Sequence, residues 1–274
     1  MCLVDWKPIF YKKLNIILST ITQYYNYTIK MIRVGRTIYD KDKRKDPSFN
    51  EFEKVIVLLK SSSKYWPLSP YYLKDEQGRI HENIHQFSKF YTDVPLSVQK
   101  VSRWDRTIIW SYPAETHLNF VTKEPNQLYL DWRHKGQNAP QAIRYPVTFD
   151  HRHKCVCAFT DDDIKNGDYT KPLDYVSSRK EIYVKEYERL VKEEPTFKEL
   201  VAKLKAGKNL LIIEVDGPHQ ESLDYYKQKY NVDDNFIQDH TMLANKHNLN
   251  IMLNDTTHPY GHGYCLANAL LDAL

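Results

Sequence analysis

Tyr260-Gly261-His262-Gly263-Tyr264-Cys265-Leu266-Ala267-Asn268-Ala269-Leu270-Leu271 is the stretch on which the reading of this 274-residue chain turns, because two of its eight glycines fall here, directly before an apolar helical run. Glycine serves where backbone must turn tightly or approach another group closely. A Gly-x-Gly turn that opens a helix leaves N–H groups pointing outward, a seat for a phosphate or another anion. At a minimum the stretch implies a turn and a C-terminal helix.

Working back from it, Ile251-Met252-Leu253 reads as a last short strand that feeds through Asp255 and Pro259 into the turn. Gln220 to Leu249 reads as polar and helical, interrupted at Val232-Asp233-Asp234-Asn235. Leu210-Leu211-Ile212-Ile213-Glu214-Val215 is the clearest buried strand, apolar around one acid. Asp216-Gly217-Pro218-His219 turns immediately after it. Glu214 and Asp216 fall on the same side of such a strand, so two carboxylates project from its end, where charge is costly without a partner. Asp174 can cap a helix from Tyr175 to about Lys192, and Pro195 breaks it. A second helix over Phe197 to Leu204 stops at Gly207.

The middle of the chain holds shorter signals. Val55 to Leu59 and Ile108-Ile109-Trp110 are brief strand candidates, and Gln86 to Tyr91 carries aromatics at alternating places. Pro113-Ala114-Glu115 suits the first turn of a helix, with the acid favouring its dipole. On such a helix Glu115, Asn119 and Lys123 share a face, with His117 beside them. Trp132-Arg133-His134-Lys135-Gly136 sets an aromatic beside basic groups. In His151-Arg152-His153-Lys154-Cys155-Val156-Cys157 two histidines and two cysteines alternate with other residues. On a strand His151 and Cys157 stand about 20 Å apart, too far to close one tetrahedral metal site, so a half-buried strand is the expectation.

A hydrophobic fraction of 42% over this length is a globular composition that can bury a sizeable core. No run of eighteen apolar residues is present, so no membrane-spanning segment is expected. Cys155 and Cys157 are too close for an ordinary bridge, and reduced thiols in an intracellular, cytoplasmic protein are the simpler expectation. Residues 1–60 hold 12 Lys/Arg against 6 Asp/Glu, leaving 27 against 29 beyond. A basic first segment around Lys41 to Lys45 could touch nucleic acid, though the interleaved Asp40, Asp42 and Asp46 break the patch. Residues 1–31, rich in Tyr, Asn, Ile and Lys, read as a dispensable extension to a domain over residues 32–274.

The order of these pieces resembles the NADAR superfamily, domains associated with NAD and ADP-ribose chemistry. Phe87-Ser88-Lys89-Phe90-Tyr91 looks like its early Leu-Ser-Asn-Phe-Tyr motif. Glu115-Thr116-His117 looks like its Glu-His helix, and Lys123 keeps the spacing to its downstream lysine. Tyr175 stands where a tryptophan begins a helix pair. Leu211 to Glu214 is similar to the family's short strand, Tyr260-Gly261-His262-Gly263 to its turn, and Asn268-Ala269-Leu270 to its last helix. The similarity covers about residues 55–274, with Tyr260 in place of the family's tryptophan.

This resemblance implies an α+β fold, mainly helical with a few short strands, and cleavage of an N-glycosidic bond in an ADP-ribosyl or ribose-phosphate compound, free or as ADP-ribosylated guanine in nucleic acid. A lysine would attack the anomeric carbon and hold the opened sugar as an imine, with no metal or redox cofactor. Lys123 is then the expected nucleophile and Lys135 its rival, with Glu115 and His117 moving protons. Glu214 would serve as acid or, with Asp216, bind ribose hydroxyls. Phe90, Tyr91 and Asn268 would contact substrate, Trp132 or Tyr260 would stack on the base, Arg133 would suit a phosphate, and Gly261, His262 and Gly263 would seat one. Two other readings stand beside it. One is metal-dependent phosphoryl transfer or nuclease chemistry on Glu214 and Asp216. The other is a module that binds ADP-ribose or nucleic acid without turnover.

Overall fold

The computed structural model describes residues 31–41, 43–58, 64–92, 117, 119, 121–122, 124–147 and 149–274. The fold is α+β. Its strands are β1 (Ile32–Arg36), β2 (Ile38–Asp40), β3 (Lys43–Lys45), β4 (Phe52–Ile56), β5 (Lys89–Tyr91), β6 (Cys155–Ala158), β7 (Asn209–Glu214) and β8 (Thr241–Leu243). The helices that bear on the argument are α1 (His81–Gln86), α2 (Gln127–Gln137), α3 (Asp161–Asn166), α4 (Tyr175–Ser178), α5 (Lys185–Val191), α6 (Pro195–Lys205), α7 (Leu223–Tyr230), α8 (Lys246–Asn254) and α9 (His262–Asp272). None is long and apolar enough to cross a membrane among the described residues.

A four-stranded sheet, ordered β4-β7-β1-β8, organises the larger core. β7 pairs in parallel with both β4 and β1, with Ile212 opposite Val55 on one side and Val34 on the other. All six of its residues are buried, so it reads as a continuous apolar run rather than an alternating one. One face, with Ile32, Val34, Leu210 and Ile212, packs into a cluster that includes Leu266, Ala269 and Leu270 of α9 and Leu200 and Leu204 of α6. On the other, Gly35 lies so close to Pro47 that a Cβ there would stand 2.9 Å from the proline ring. Parallel neighbours need a long crossover, and the one between β4 and β7 holds β5, β6 and α1 to α6.

A second aromatic core lies within the crossover between β4 and β7. Phe87, Phe90, Tyr129, Trp132 and Phe159 are buried together, where α2 meets the β5–β6 pair. Gly136 of α2 is obligatory, because a Cβ there would fall inside the Phe87 ring. The helix from Asp174 forms as expected, with the Asp174 carboxylate accepting from Ser177 N at 2.7 Å. Its middle, Arg179–Val184, is a π segment between α4 and α5, a widening that often accompanies functional groups.

Several expected elements differ. Ile251-Met252-Leu253 lies in α8, whose start is fixed by Asn248 N donating to Asn245 Oδ1 at 2.8 Å. A three-residue apolar run has no period of its own, and the cap decides it. The missing strand is Thr241–Leu243, antiparallel to β1. His151 to Lys154 form a 3-10 turn, so only Cys155 and Cys157 stand on the strand. Asn119 Oδ1 accepts from Val121 N and Thr122 N, and Asn126 N donates to His117 O. That Asx turn replaces the expected helix over the described part of that segment. Residues 1–30, Ile108 to Trp110, Pro113 to Glu115 and Lys123 lie outside the described residues.

Candidate active site

At the carboxyl ends of β4 and β7 opens a cavity of about 700 Å³. Glu214, Val215 and Asp216 leave β7 into it, facing Glu82, His85 and Gln86 of α1 and Lys89 and Tyr91 of β5. Arg144, Arg152 and Arg179 add positive charge to the wall, and Tyr71, Tyr145 and Tyr175 add aromatic faces. Tyr260, Gly261 and His262 complete it at the start of α9.

Glu214 explains the glycines of the opening motif. Its side chain is 1% exposed, and its Oε2 accepts from Gly263 N at 3.1 Å at the N-terminus of α9. A Cβ at Gly261 would overlap this carboxylate, and one at Gly263 would stand 2.8 Å from Glu214 Cδ. Neither glycine has a positive φ, so space rather than backbone freedom demands them. The anion seat expected for phosphate is therefore filled by the chain's own acid. Burial, reinforced by the charge of Asp216, raises the Glu214 carboxyl to about 8 despite the Gly263 and Tyr264 N–H groups. His262 donates from Nε2 to Val57 O at 2.6 Å, which leaves Nδ1 unprotonated 3.6 Å from Glu214 Oε2. Burial lowers His262 to about 4. A neutral imidazole beside a protonated carboxylic acid is the resulting state near neutrality.

Across the cavity a hydrogen-bonded relay joins an amine to a second acid. Lys89 Nζ donates to Gln86 Oε1 at 2.8 Å, and Gln86 Nε2 donates to Glu82 Oε1 at 2.7 Å. Burial lowers the Lys89 amine, aided by Arg152 and opposed by Cys155 and Glu82. Burial also raises Glu82, with Asp216 adding to it and Gln86, Lys89 and Arg144 opposing. Lys89 is the single lysine among the described residues that line the cavity. The sequence signal for it was present in Phe87-Ser88-Lys89-Phe90-Tyr91, a cation between residues that all bury their side chains. Glu82, His85, Arg144, Arg152 and Arg179 carried no such signal.

The structure brings together Tyr91, Glu214, Asp216, Tyr260, Gly261 and His262 of the expected site residues. Others go elsewhere. Trp132 is fully buried in the aromatic core, 4.6 Å from Phe87 between ring centroids, and cannot stack on a base. Phe90 packs in the same core. Arg133 is held by Phe87 O, Phe159 O and the Asp161 carboxylate, so it ties α2 to α3 rather than waiting for phosphate. Lys135 is on the exposed face of α2, away from the cavity lining. His117 sits among Tyr129 and Trp132, where burial lowers it to about 4, and outside the lining. Asn268 donates to Glu188 Oε1 at 2.5 Å and accepts from Lys246, also outside the lining. Glu115 and Lys123 lie outside the described residues.

Among the described residues no group of three His, Cys, Asp or Glu side chains has the placement to hold a metal ion. A carboxyl at about 8 that already takes a backbone N–H is better suited to proton transfer than to metal ligation. No family model, curated protein or solved structure matches the chain, so the chemistry rests on this geometry.

Proposed function

We propose that the cavity cleaves the N-glycosidic bond of a ribose-phosphate or ADP-ribosyl compound through a lysine imine, as a divergent member of the NADAR superfamily, with Lys89 as the amine. The observation that carries this reading is Lys89 itself, an amine lowered by burial in a cavity that also holds two carboxyls raised by burial. An uncharged amine is a nucleophile at neutral pH, and a protonated carboxyl there is a general acid.

The reaction follows from these groups. Lys89 Nζ adds to the anomeric carbon as the bond to the base nitrogen breaks, and the departing base takes a proton from Glu214. The ammonium formed on Lys89 returns one proton to the Glu214 carboxylate. Ring opening moves its second proton from the nitrogen to the ring oxygen and turns the attached carbon into an imine. Water then adds to that carbon and releases the free sugar and the amine. Arg144 and Arg152 suit the phosphate, whose oxygens match a planar guanidinium fork. Tyr71 and Tyr145 offer flat faces to a base.

Intact mass after incubation with ribose 5-phosphate and borohydride tests the amine. A reduced adduct mapped to Lys89 and absent from Lys89→Ala is the expected result. An adduct kept in Lys89→Ala and lost in Lys123→Ala overturns the assignment in favour of Lys123. Guanine-linked ADP-ribose tests the bond cleaved: stabilisation of the fold without release of guanine would leave a binding module in place of an enzyme.

A further inference from the structure

A hydrogen-bonded chain outside the Lys89 relay joins a serine, a histidine and an aspartate. Ser222 Oγ lies 2.9 Å from His258 Nε2, and His258 Nδ1 lies 2.7 Å from Asp255 Oδ2. Ser222 occupies the N-cap position of α7, where a serine oxygen ordinarily accepts from a backbone N–H of the first turn. Here it makes no such bond, and its oxygen is turned to the imidazole. Asp255 is fully buried and accepts from Tyr225 Oη at 2.5 Å and Tyr226 Oη at 3.0 Å. These bonds fix the carboxylate, and the carboxylate fixes the ring with Nδ1 protonated and Nε2 free to take a proton. His258 also lines the cavity, as do Thr257 and Pro259 on either side of it.

We propose that Ser222, His258 and Asp255 form a serine nucleophile site that takes the acyl group of a carboxylic ester. A weak hydroxyl becomes a nucleophile when a base reaches it and a third group orients the base, which is the arrangement of these three side chains. Ser222 Oγ adds to the ester carbonyl while its proton passes to His258 Nε2. Collapse of the adduct breaks the bond to the alcohol oxygen, and the alcohol leaves with that proton. Water then adds to the acyl-serine, giving a proton to Nε2. The second collapse returns that proton to Ser222 and frees the carboxylic acid. Asp255 is a positioning residue, since it acts through the ring and touches no reacting atom.

A fluorophosphonate probe, read by intact mass and peptide mapping on the full chain, tests this. One label per chain at Ser222 is expected, absent from Ser222→Ala and at least tenfold slower in His258→Gln. The groups that face His258 are Asp255, Tyr225 and Tyr226, with His219 at 5.9 Å between ring centroids; Arg179 donates to the His258 carbonyl, and Lys229 and Tyr230 reach the Asp255 carboxylate from α7. Asp255→Asn is expected to slow labelling and to move its pH profile, which loss of a packing contact alone would not do. Labelling at other serines only, or at Ser222 with equal rate in folded His258→Gln, overturns the proposal. Thermal melts of each variant separate loss of the nucleophile from loss of the fold.

Discussion

Replacing Glu214 by glutamine removes one ionisation from the middle of the fold while keeping the side chain's size and an acceptor for Gly263 N. Below about pH 4.5 the wild-type carboxyl is protonated in both folded and unfolded chains, and it contributes its full stability there. As pH rises, the unfolded chain ionises from its ordinary 4.5, whereas the buried group resists until about 8. Stability is therefore lost across that window, at most about 1.4 kcal/mol per pH unit. Over the whole window the loss is roughly 3–5 kcal/mol, and above about pH 8 it levels off. Glu214→Gln has no such slope. Urea unfolding of both proteins between about pH 4.5 and 8.5 is the assay, with the difference in unfolding free energy plotted against pH. The variant should gain on the wild type steadily as pH rises. Parallel curves would refute the reasoning, because they would mean that Glu214 ionises in the folded chain as readily as in the unfolded one.

Gly261→Ala should lower the unfolding free energy read from urea titration by about 1–3 kcal/mol, since its Cβ must displace the Glu214 carboxylate. Gly136→Ala should do the same by forcing the Phe87 ring out of the aromatic core, read as a drop in thermal midpoint and a changed near-ultraviolet signal. Arg133→Ala strips the Phe87 and Phe159 carbonyls of a buried donor and removes one partner of the half-exposed Asp161, which keeps Arg79, and a loss of roughly 1–3 kcal/mol is expected in equilibrium unfolding. Lys135→Ala, on the exposed face of α2 and away from the cavity lining, should leave the ribose 5-phosphate adduct unchanged by the same mass assay.

What the sequence made legible was whatever depends on long local pattern. The apolar run ending in Glu214 is the central strand, and the Gly-x-Gly turn does open the final helix. Asp174 caps where its position before the helix said it would. The site was read less fully because the partners of those residues are set by tertiary contact. The glycines announce a close approach, but nothing local says that the approaching group is an acid some fifty residues earlier. Lys89 sat between Phe87 and Tyr91 in one motif, yet the aromatics beside it, Phe90 and Tyr91, were the ones expected to contact substrate. Trp132 and Arg133 carry the residue types of a nucleotide site, and burial in α2 turns both into scaffold. Short runs such as Ile251 to Leu253 hold no period, so the cap at Asn245 decided a structure that the run could not.

The parallel pairing of β1 with β7 sets Ile32 opposite Leu210. Each strand that carries a cavity wall on its end must wait for a partner more than a hundred residues away in the chain. Contacts of that span carry a high loop-closure cost, so the sheet is expected to close late in folding. Helices and the aromatic core can assemble earlier without creating any binding surface. A compact but incompletely paired chain would thus be blind to substrate, and occupancy of the cavity would report that the sheet is closed. By the same linkage, a bound ligand should slow hydrogen exchange at the amides of β7 as a unit, rather than only at the residues it touches.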